Sequence, residues 1–314
     1  MIKYYLKLIR YQNLLIILFT MLCIRYCIIY PYYNKIELNF FLSDLNFFFL
    51  ALAIVLIAAG GYVYNDFFDI KTDSINHPKD MIVGIHISRK KALLLSNLLS
   101  FIGLLFGTYV SYKINHLKLS LIFVAVVFTL WIYTWFLKKY VVISNFTIAT
   151  LTALVPFYPF LYEILSMPEF YVKHLSTSLS LAINNIFYFS LSYSIFAFLT
   201  TFLREILKDI SDFEGDIQTV KNTIPIVFGV KFAKFLSIFL IITIITLLLY
   251  ILFNYLKDFT SFVYITLLII VPFLYCIYKM YKANKNSDFY KISQIVKVIM
   301  LLGLGYSFVV FFKL

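Results

Sequence analysis

Charge is what this sequence has least of. Only 13% of its 314 residues are Asp, Glu, Lys or Arg, against 62% apolar ones, whereas soluble domains carry close to a quarter charged residues. With a mean hydropathy of +0.91, that scarcity excludes an ordinary soluble fold. Acid is scarcer than base: 15 Asp and Glu face 27 Lys and Arg, for a net charge of +12. No hydrophilic basic module exists to carry nucleic-acid binding, so the excess reads as inner loops held against anionic lipid. There are three cysteines and four histidines. Cys23, Cys27 and Cys276 all fall inside apolar runs, and two thiols at i, i+4 with no His beside them read as packing residues, not metal ligands. His77 and His86, isolated in a loop, read as solvated.

What is abundant is long apolar sequence. Runs able to cross about 30 Å of hydrocarbon lie near 12–30, 45–64, 89–112, 118–137, 141–162, 178–203, 232–254, 259–281 and 293–312. These predict an all-α, polytopic membrane protein of nine transmembrane helices. The first run lacks a small-residue cleavage site and reads as a retained span, preceded by a short basic amphipathic lead, Met1 to Arg10, at the interface. Ser88 is a candidate helix cap, and Pro156 and Pro159 should kink the fifth span. With the N-terminus inside, twenty Lys and Arg fall on the inner side and six (Lys35, Lys113, Lys118, Lys173, Lys257, Lys313) on the outer, with Arg25 inside the first span. That bias places the N-terminus and the loops after the even-numbered spans in the cytoplasm of a cell (inner) membrane protein.

Against this background the acids are concentrated. Eight of the fifteen occupy two short windows, Asp66, Asp69, Asp73 and Glu205, Asp209, Asp212, Glu214, Asp216. Asp66, Asp69, Asp73 and Asp209, Asp212, Asp216 share one spacing, i, i+3, i+7, which on a continuous helix stacks three carboxylates on one face. Such stacking asks for a cation above it. A hard divalent ion takes oxygen ligands, and Mg²⁺ keeps phosphate oxygens in its shell, so the pair of clusters predicts a metal-bridged diphosphate. The plainer alternative, Asp-rich turns capping helix N-termini, does not explain the concentration. Arg204 and Lys208, at i, i+4 beside the second cluster, are candidate phosphate ligands; a local salt-bridge lattice is their plainer reading. The two clusters each follow an even-numbered span. That suggests one domain, residues 1–314, of two pseudo-repeated halves, about 1–140 and 141–314, whose clusters face one cavity.

These residues resemble those of the UbiA superfamily of intramembrane prenyltransferases. The N-D-x-x-D-x-x-x-D signature of that family is met by Asn65, Asp66, Asp69 and Asp73, and its K-D-x-x-D-x-E/x-G-D form by Lys208, Asp209, Asp212, Glu214, Gly215 and Asp216. The combined pattern is most similar to the branch that includes geranylgeranylglycerol-phosphate geranylgeranyltransferases. It departs from that branch in having His77-Pro78-Lys79-Asp80 where Arg-Pro pairs are usual, and Val220 where Gly is usual.

The resemblance implies a barrel-like bundle around a central cavity, with Asp66, Asp69, Asp73, Asp209, Asp212 and Asp216 holding Mg²⁺ on a polyprenyl diphosphate. Asp66, Asp69, Asp209, Asp212 and Lys208 become the catalytic candidates. Asn65, Arg204, Lys138, Arg10, Asn13, Tyr133 and Asn145 become candidate substrate ligands, although Lys138 and Arg10 could be topogenic or snorkelling cations. Spans seven to nine, without a buried acid or His, become scaffold and tail-binding wall. The expected reaction is transfer of a polyprenyl group, geranylgeranyl by the branch, to a lipophilic acceptor such as the hydroxyl of prenylglycerol phosphate. An aromatic acceptor is the alternative within the family, and a cation-coupled transporter the rival outside it. A transporter would want its carboxylates near the bilayer midplane. No nucleic-acid or protein partner is predicted.

Overall fold

The computed structural model describes residues 1–76, 78, 81–218, 222–283 and 285–314. Among these residues the regular structure is helical, apart from one isolated bridge between Val83 and Ile87. In chain order the helices are α1 (Ile2–Leu8), α2 (Tyr11–Asn34), α3 (Asp44–Phe68), α4 (Ile70–Asn76), α5 (Arg89–Lys113), α6 (Leu117–Trp135), α7 (Ile143–Leu154) and α8 (Phe157–Leu165). There follow α9 (Glu169–Lys173), α10 (Thr177–Ser211), α11 (Phe213–Gln218), α12 (Ile224–Val227), α13 (Val230–Leu256), α14 (Phe259–Lys282) and α15 (Asn286–Lys313).

Among the described residues eight helices, α2, α3, α5, α6, α10, α13, α14 and α15, are long and apolar enough to cross a membrane. The pair α7 and α8 supplies a ninth span if counted as one. Each apolar run of the sequence therefore has its helix, and the chain is a multi-pass membrane protein. The fifth run is interrupted where Pro156 stands as the N-cap of α8, a position that tolerates a residue without an N–H. Ser88 caps α5 as expected, its Oγ accepting the Lys91 N–H at 3.5 Å.

By compactness the chain divides into two units, residues 1–138 with 155–190, and residues 139–154 with 191–314. In the first, α3 and α5 form the most extensive helix pair. Their approach is set by small residues. A side chain at Gly103 would run into Ile57 and the Ala53 carbonyl, and Ser96 donates to the Gly60 carbonyl at 2.8 Å. Close backbone contact of this kind is how helices gain dispersion energy in lipid.

Elsewhere in this unit, Arg25 lies in a π-type stretch of α2, Cys23–Ile29, and is 1% exposed. Its guanidinium donates to the Leu42 carbonyl and to Asp44, both at 2.8 Å, and lies 3.5 Å from Glu163, which is as deeply buried. Glu163 in turn accepts the backbone N–H groups of Phe41 and Leu42 at 2.6 and 3.4 Å. The rings of Phe40 and Phe47 cover the cation at 3.9 and 4.5 Å. The two terminal nitrogens of this buried charge are met in this way while its Nε is left without a hydrogen-bond partner among the described residues, and the contacts staple the 35–43 connection to α8.

In the second unit, Gly229 has φ +87, a left-handed backbone that suits glycine, immediately before α13. Asp258 caps α14 by accepting the Ser261 N–H at 2.8 Å, and Lys313 near the end of α15 pairs with Asp258. Tyr306 and Ser261 share a buried hydrogen bond at 2.6 Å. The three cysteines are buried free thiols.

Candidate active site: two aspartate motifs at broken helix ends

The first motif does not sit on one continuous helix. α3 ends at Phe68, Asp69 turns out of it at φ −84 and ψ 3, and α4 begins at Ile70. The second motif is interrupted at the equivalent place, α10 ending at Ser211 and α11 starting at Phe213, with Asp212 between. The expected single face of three stacked carboxylates is thus corrected to a pair of carboxylates at a helix end and a third on the short helix that follows. The backbone hydrogen bonds repeat too: Asp69 N–H to Asn65 and Asp73 N–H to Asp69 in one motif, Asp212 N–H to Lys208 and Asp216 N–H to Asp212 in the other, all between 2.8 and 3.0 Å. No Pro or Gly marks either break, so the turns carry no local signal a reader of the sequence would recognise.

This placement bears on charge. The C-terminal end of a helix carries partial negative charge, so a carboxylate there is disfavoured unless a cation compensates it. Asp66 occupies the last turn of α3 and Asp69 its C-cap; Asp209 occupies the last turn of α10. Helix capping, the plainer reading, fits Asp73 and Asp216 in the first turns of α4 and α11 and the positions of Asp69 and Asp212 directly before those short helices; it does not fit Asp66 or Asp209.

In the first unit the compensation is visible. Arg10 donates to Asp66 Oδ1 at 2.8 Å, its guanidinium carbon 5.1 Å from the Tyr62 ring centroid. Lys138 pairs with Asp69 and donates to Asn65 Oδ1 at 3.0 Å, while the Asn65 amide donates to the same Asp69 oxygen at 2.8 Å. Asp66 and Asp69 are 19% and 13% exposed, open enough to meet a ligand. Asp73, outside the spans, is pushed up to about 6 by burial and then by the charges of Asp69 and Asp66, with Lys138 and Arg10 acting against the shift. Asn13 lies half-buried in the first turn of α2 and Tyr133 half-buried in the last turn of α6, ahead of Lys138.

In the second unit Asp209 accepts the Asn145 amide N–H at 2.8 Å, and Ser144 donates to the Asn145 oxygen at 2.7 Å. Lys208 donates to Glu205 at 2.7 Å, and Arg204 lies 3.8 Å from the same carboxylate oxygen. The Arg204 Nε is buried without a hydrogen bond among the described residues. Asp216 is 3% exposed. Glu205 was visible in the sequence as part of the acidic window but not as the residue that gathers both cations; its i, i+3 spacing to Lys208 was the available signal. Tyr62 carried no signal in a chain with 26 tyrosines. His77, Lys79, Asp80 and Val220 lie outside the described residues.

The donors are carboxylate and amide oxygens, the chemistry of a hard cation. Among the described residues no three acidic, His or Cys side chains converge tightly enough to cage an ion by themselves. Asp66 and Asp69, with the neighbouring Asn65 oxygen, are donors that would suit Mg²⁺, which would supply positive charge to a bound phosphate.

Three comparisons bear on the arrangement. The sequence model of the UbiA prenyltransferase family matches residues 36–297. A digeranylgeranylglyceryl phosphate synthase of Thermococcus kodakarensis is 34% identical over 185 residues, 59% of this chain and 57% of that protein, so the match spans little more than half of the relative's length. Among solved structures, one of digeranylgeranylglyceryl phosphate synthase superposes with a TM-score of 0.63 at 23% identity, over 100% of this chain and 99% of that one. A UbiA homologue from Archaeoglobus fulgidus bound to GPP and Mg²⁺ superposes with a TM-score of 0.55 at 16% identity, over 98% and 99%. These likenesses establish a common fold.

Proposed function

Because this chain belongs to the UbiA prenyltransferase family, we propose that it is a Mg²⁺-dependent prenyltransferase whose two aspartate motifs act on one polyprenyl diphosphate. The donor is geranylgeranyl diphosphate and the acceptor the hydroxyl of a prenylglycerol phosphate. The observation that carries this reading is the repeated break at Asp69 and Asp212, which leaves Asp66 and Asp209 in the negatively polarised last turns of two long helices. Such ends call for a cation. The synthase name carried by a relative 34% identical supports the donor and acceptor. The charge bias of the loops supports a cytoplasmic N-terminus and cytoplasmic motifs.

In this reading Asp66, Asp69 and Asp73 with Asp209, Asp212 and Asp216 hold Mg²⁺, which when bound neutralises the diphosphate and polarises its bridging oxygen. Arg10, Lys138, Arg204 and Lys208 spread further positive charge over the departing oxygens. The allylic C–O bond breaks with both electrons leaving on the diphosphate. The acceptor oxygen then closes a new C–O bond to the allylic carbon and loses its proton, giving an ether. Asn65 and Asn145 orient the carboxylates beside them. A water-poor, aromatic-rich surrounding protects the allylic cation from hydrolysis.

The test is incubation of purified protein with geranylgeranyl diphosphate and Mg²⁺ against prenylglycerol phosphate, dihydroxynaphthoate and hydroxybenzoate, with products read by mass spectrometry. The expected result is an ether formed with prenylglycerol phosphate and lost on chelation. A prenylated arene instead would overturn the acceptor; metal-independent turnover, or transport of a cation without consumption of the diphosphate, would overturn the reading as a whole.

A further inference from the structure

Arg10, which reaches Asp66, stands at an unusual corner. It is the second of two residues, Ile9 and Arg10, between α1 and α2 and has φ 52 and ψ 52, the left-handed region, a conformation uncommon for a residue with a Cβ and kept where the surroundings favour it. The helix that leads into it, α1, is docked on the protein. Leu8 at the end of that helix is 0% exposed and is buried against Val63 of α3, Ile82, Val83 and Ile87 of the loop after the first motif, and Ala92 of α5. Tyr4, one turn earlier, stacks on His86 of the same loop, ring centroids 3.8 Å apart and planes 18° apart. Ile70, which lies between Asp69 and Asp73, packs on this same cluster. The N-terminal helix is thus more than an interfacial lead. It touches the segment behind the motif and ends at the cation in front of it.

We propose that Leu8 is a positioning residue for the first aspartate motif: by pinning α1 into the cluster of Val63, Ile82, Val83 and Ile87 it fixes both the Arg10 corner against Asp66 and, through Ile70, the short helix that carries Asp73. The physical reason is economy of constraint. A seven-residue helix is not stable alone, so α1 and the left-handed corner that ends it persist only while the apolar face is docked. Without Leu8 the corner relaxes into right-handed backbone and the guanidinium leaves Asp66. The consequence for phosphate binding rests on the function proposed above; the docking itself does not.

The experiment uses the full chain in detergent and two readouts. The first is hydrogen–deuterium exchange of segments 70–76 and 81–88. Leu8→Ala should speed exchange there by about tenfold, as expected when a local opening loses its apolar support, with α13 to α15 unchanged and protection recovered in Leu8→Met. Unchanged exchange in those two segments overturns the inference whether or not the protein is an enzyme. The second readout is binding of radiolabelled inorganic pyrophosphate at saturating Mg²⁺. Arg10→Ala and Leu8→Ala should each weaken binding by about tenfold, and the double variant should fall within about twofold of Arg10→Ala alone, the non-additivity of residues acting through one another. Additive losses would show that Leu8 acts by general destabilisation and would overturn it. If the unaltered protein binds no pyrophosphate, the proposed function fails, while exchange still decides the role of Leu8.

Discussion

The two aspartate motifs share a backbone and differ in what faces their carboxylates. In the first, Asp66 and Asp69 are each met by a cation from another helix end, Arg10 and Lys138. In the second, Asp209 is met by the neutral amide of Asn145, and the nearby cations Lys208 and Arg204 turn to Glu205. The common part is an i→i−4 pattern carried through a one-residue break. Tertiary contacts decided the rest. The comparison teaches that one motif is held in place by charge from neighbouring helix ends, whereas in the other the partner shown at Asp209 among the described residues is a neutral amide.

The largest effect should come from the residues at the breaks. Asp69→Asn and Asp212→Asn keep the shape and remove the charge, and each should lower kcat/KM for prenyl transfer by about a thousandfold or more, the scale of losing a group that stabilises transition-state charge. Steady-state kinetics on folded, monodisperse protein checks this. Equal losses would support two motifs serving one diphosphate; near-normal turnover in either variant would break the symmetry on which the proposed function depends.

A smaller effect should separate the motifs. Lys138→Ala removes a charge-assisted contact to Asp69 and should reduce kcat/KM by about a hundredfold, whereas Asn145→Ala removes a neutral hydrogen bond to Asp209 and should reduce it by about tenfold, charged hydrogen bonds being roughly twice as strong. If the Asn145 variant proves the more damaged, the neutral contact at Asp209 outweighs the charged one at Asp69, and the contrast between the motifs falls.

Much of this was legible in the residues themselves. The nine apolar runs each became helix because chains that long, apolar and free of charge have no other way to satisfy their backbone in lipid, and Pro156 interrupts the fifth where its missing N–H required it. The motifs could be found because acid is rare in this chain. Three things were hidden. The breaks at Asp69 and Asp212 lie in sequence with ordinary helix propensity, so nothing local announces them. The partners of Arg25 come from Leu42, Asp44 and Glu163, the last more than a hundred residues away, and only packing brings them together. The corner at Arg10 is left-handed although arginine has no preference for it, and the helix that leads into it is docked on the protein.

The smallest effect concerns Asp73, and its sign can be worked out. Burial and the neighbouring carboxylates push it up to about 6 in the cation-free protein, above the ordinary carboxylate value. A raised carboxylate favours the folded state most while protonated, so its contribution is full below pH of about 4 and is lost as pH rises through about 6. Above that, the ionised Asp73 strains the cation-free motif, and a divalent ion that relieves the strain must displace a proton when the pH is low. The concentration of Mg²⁺ giving half-maximal activity should therefore be about twofold higher at pH 6 than at pH 7.5, and about tenfold higher at pH 5. Asp73→Asn should flatten that dependence and raise the Tm of the cation-free protein at pH 7.5, while shrinking the gain in Tm on adding Mg²⁺. A pH dependence that survives the substitution would place the titrating group elsewhere, and the second motif, where Asp209 accepts the neutral Asn145 amide, would be the region to test by the same substitution.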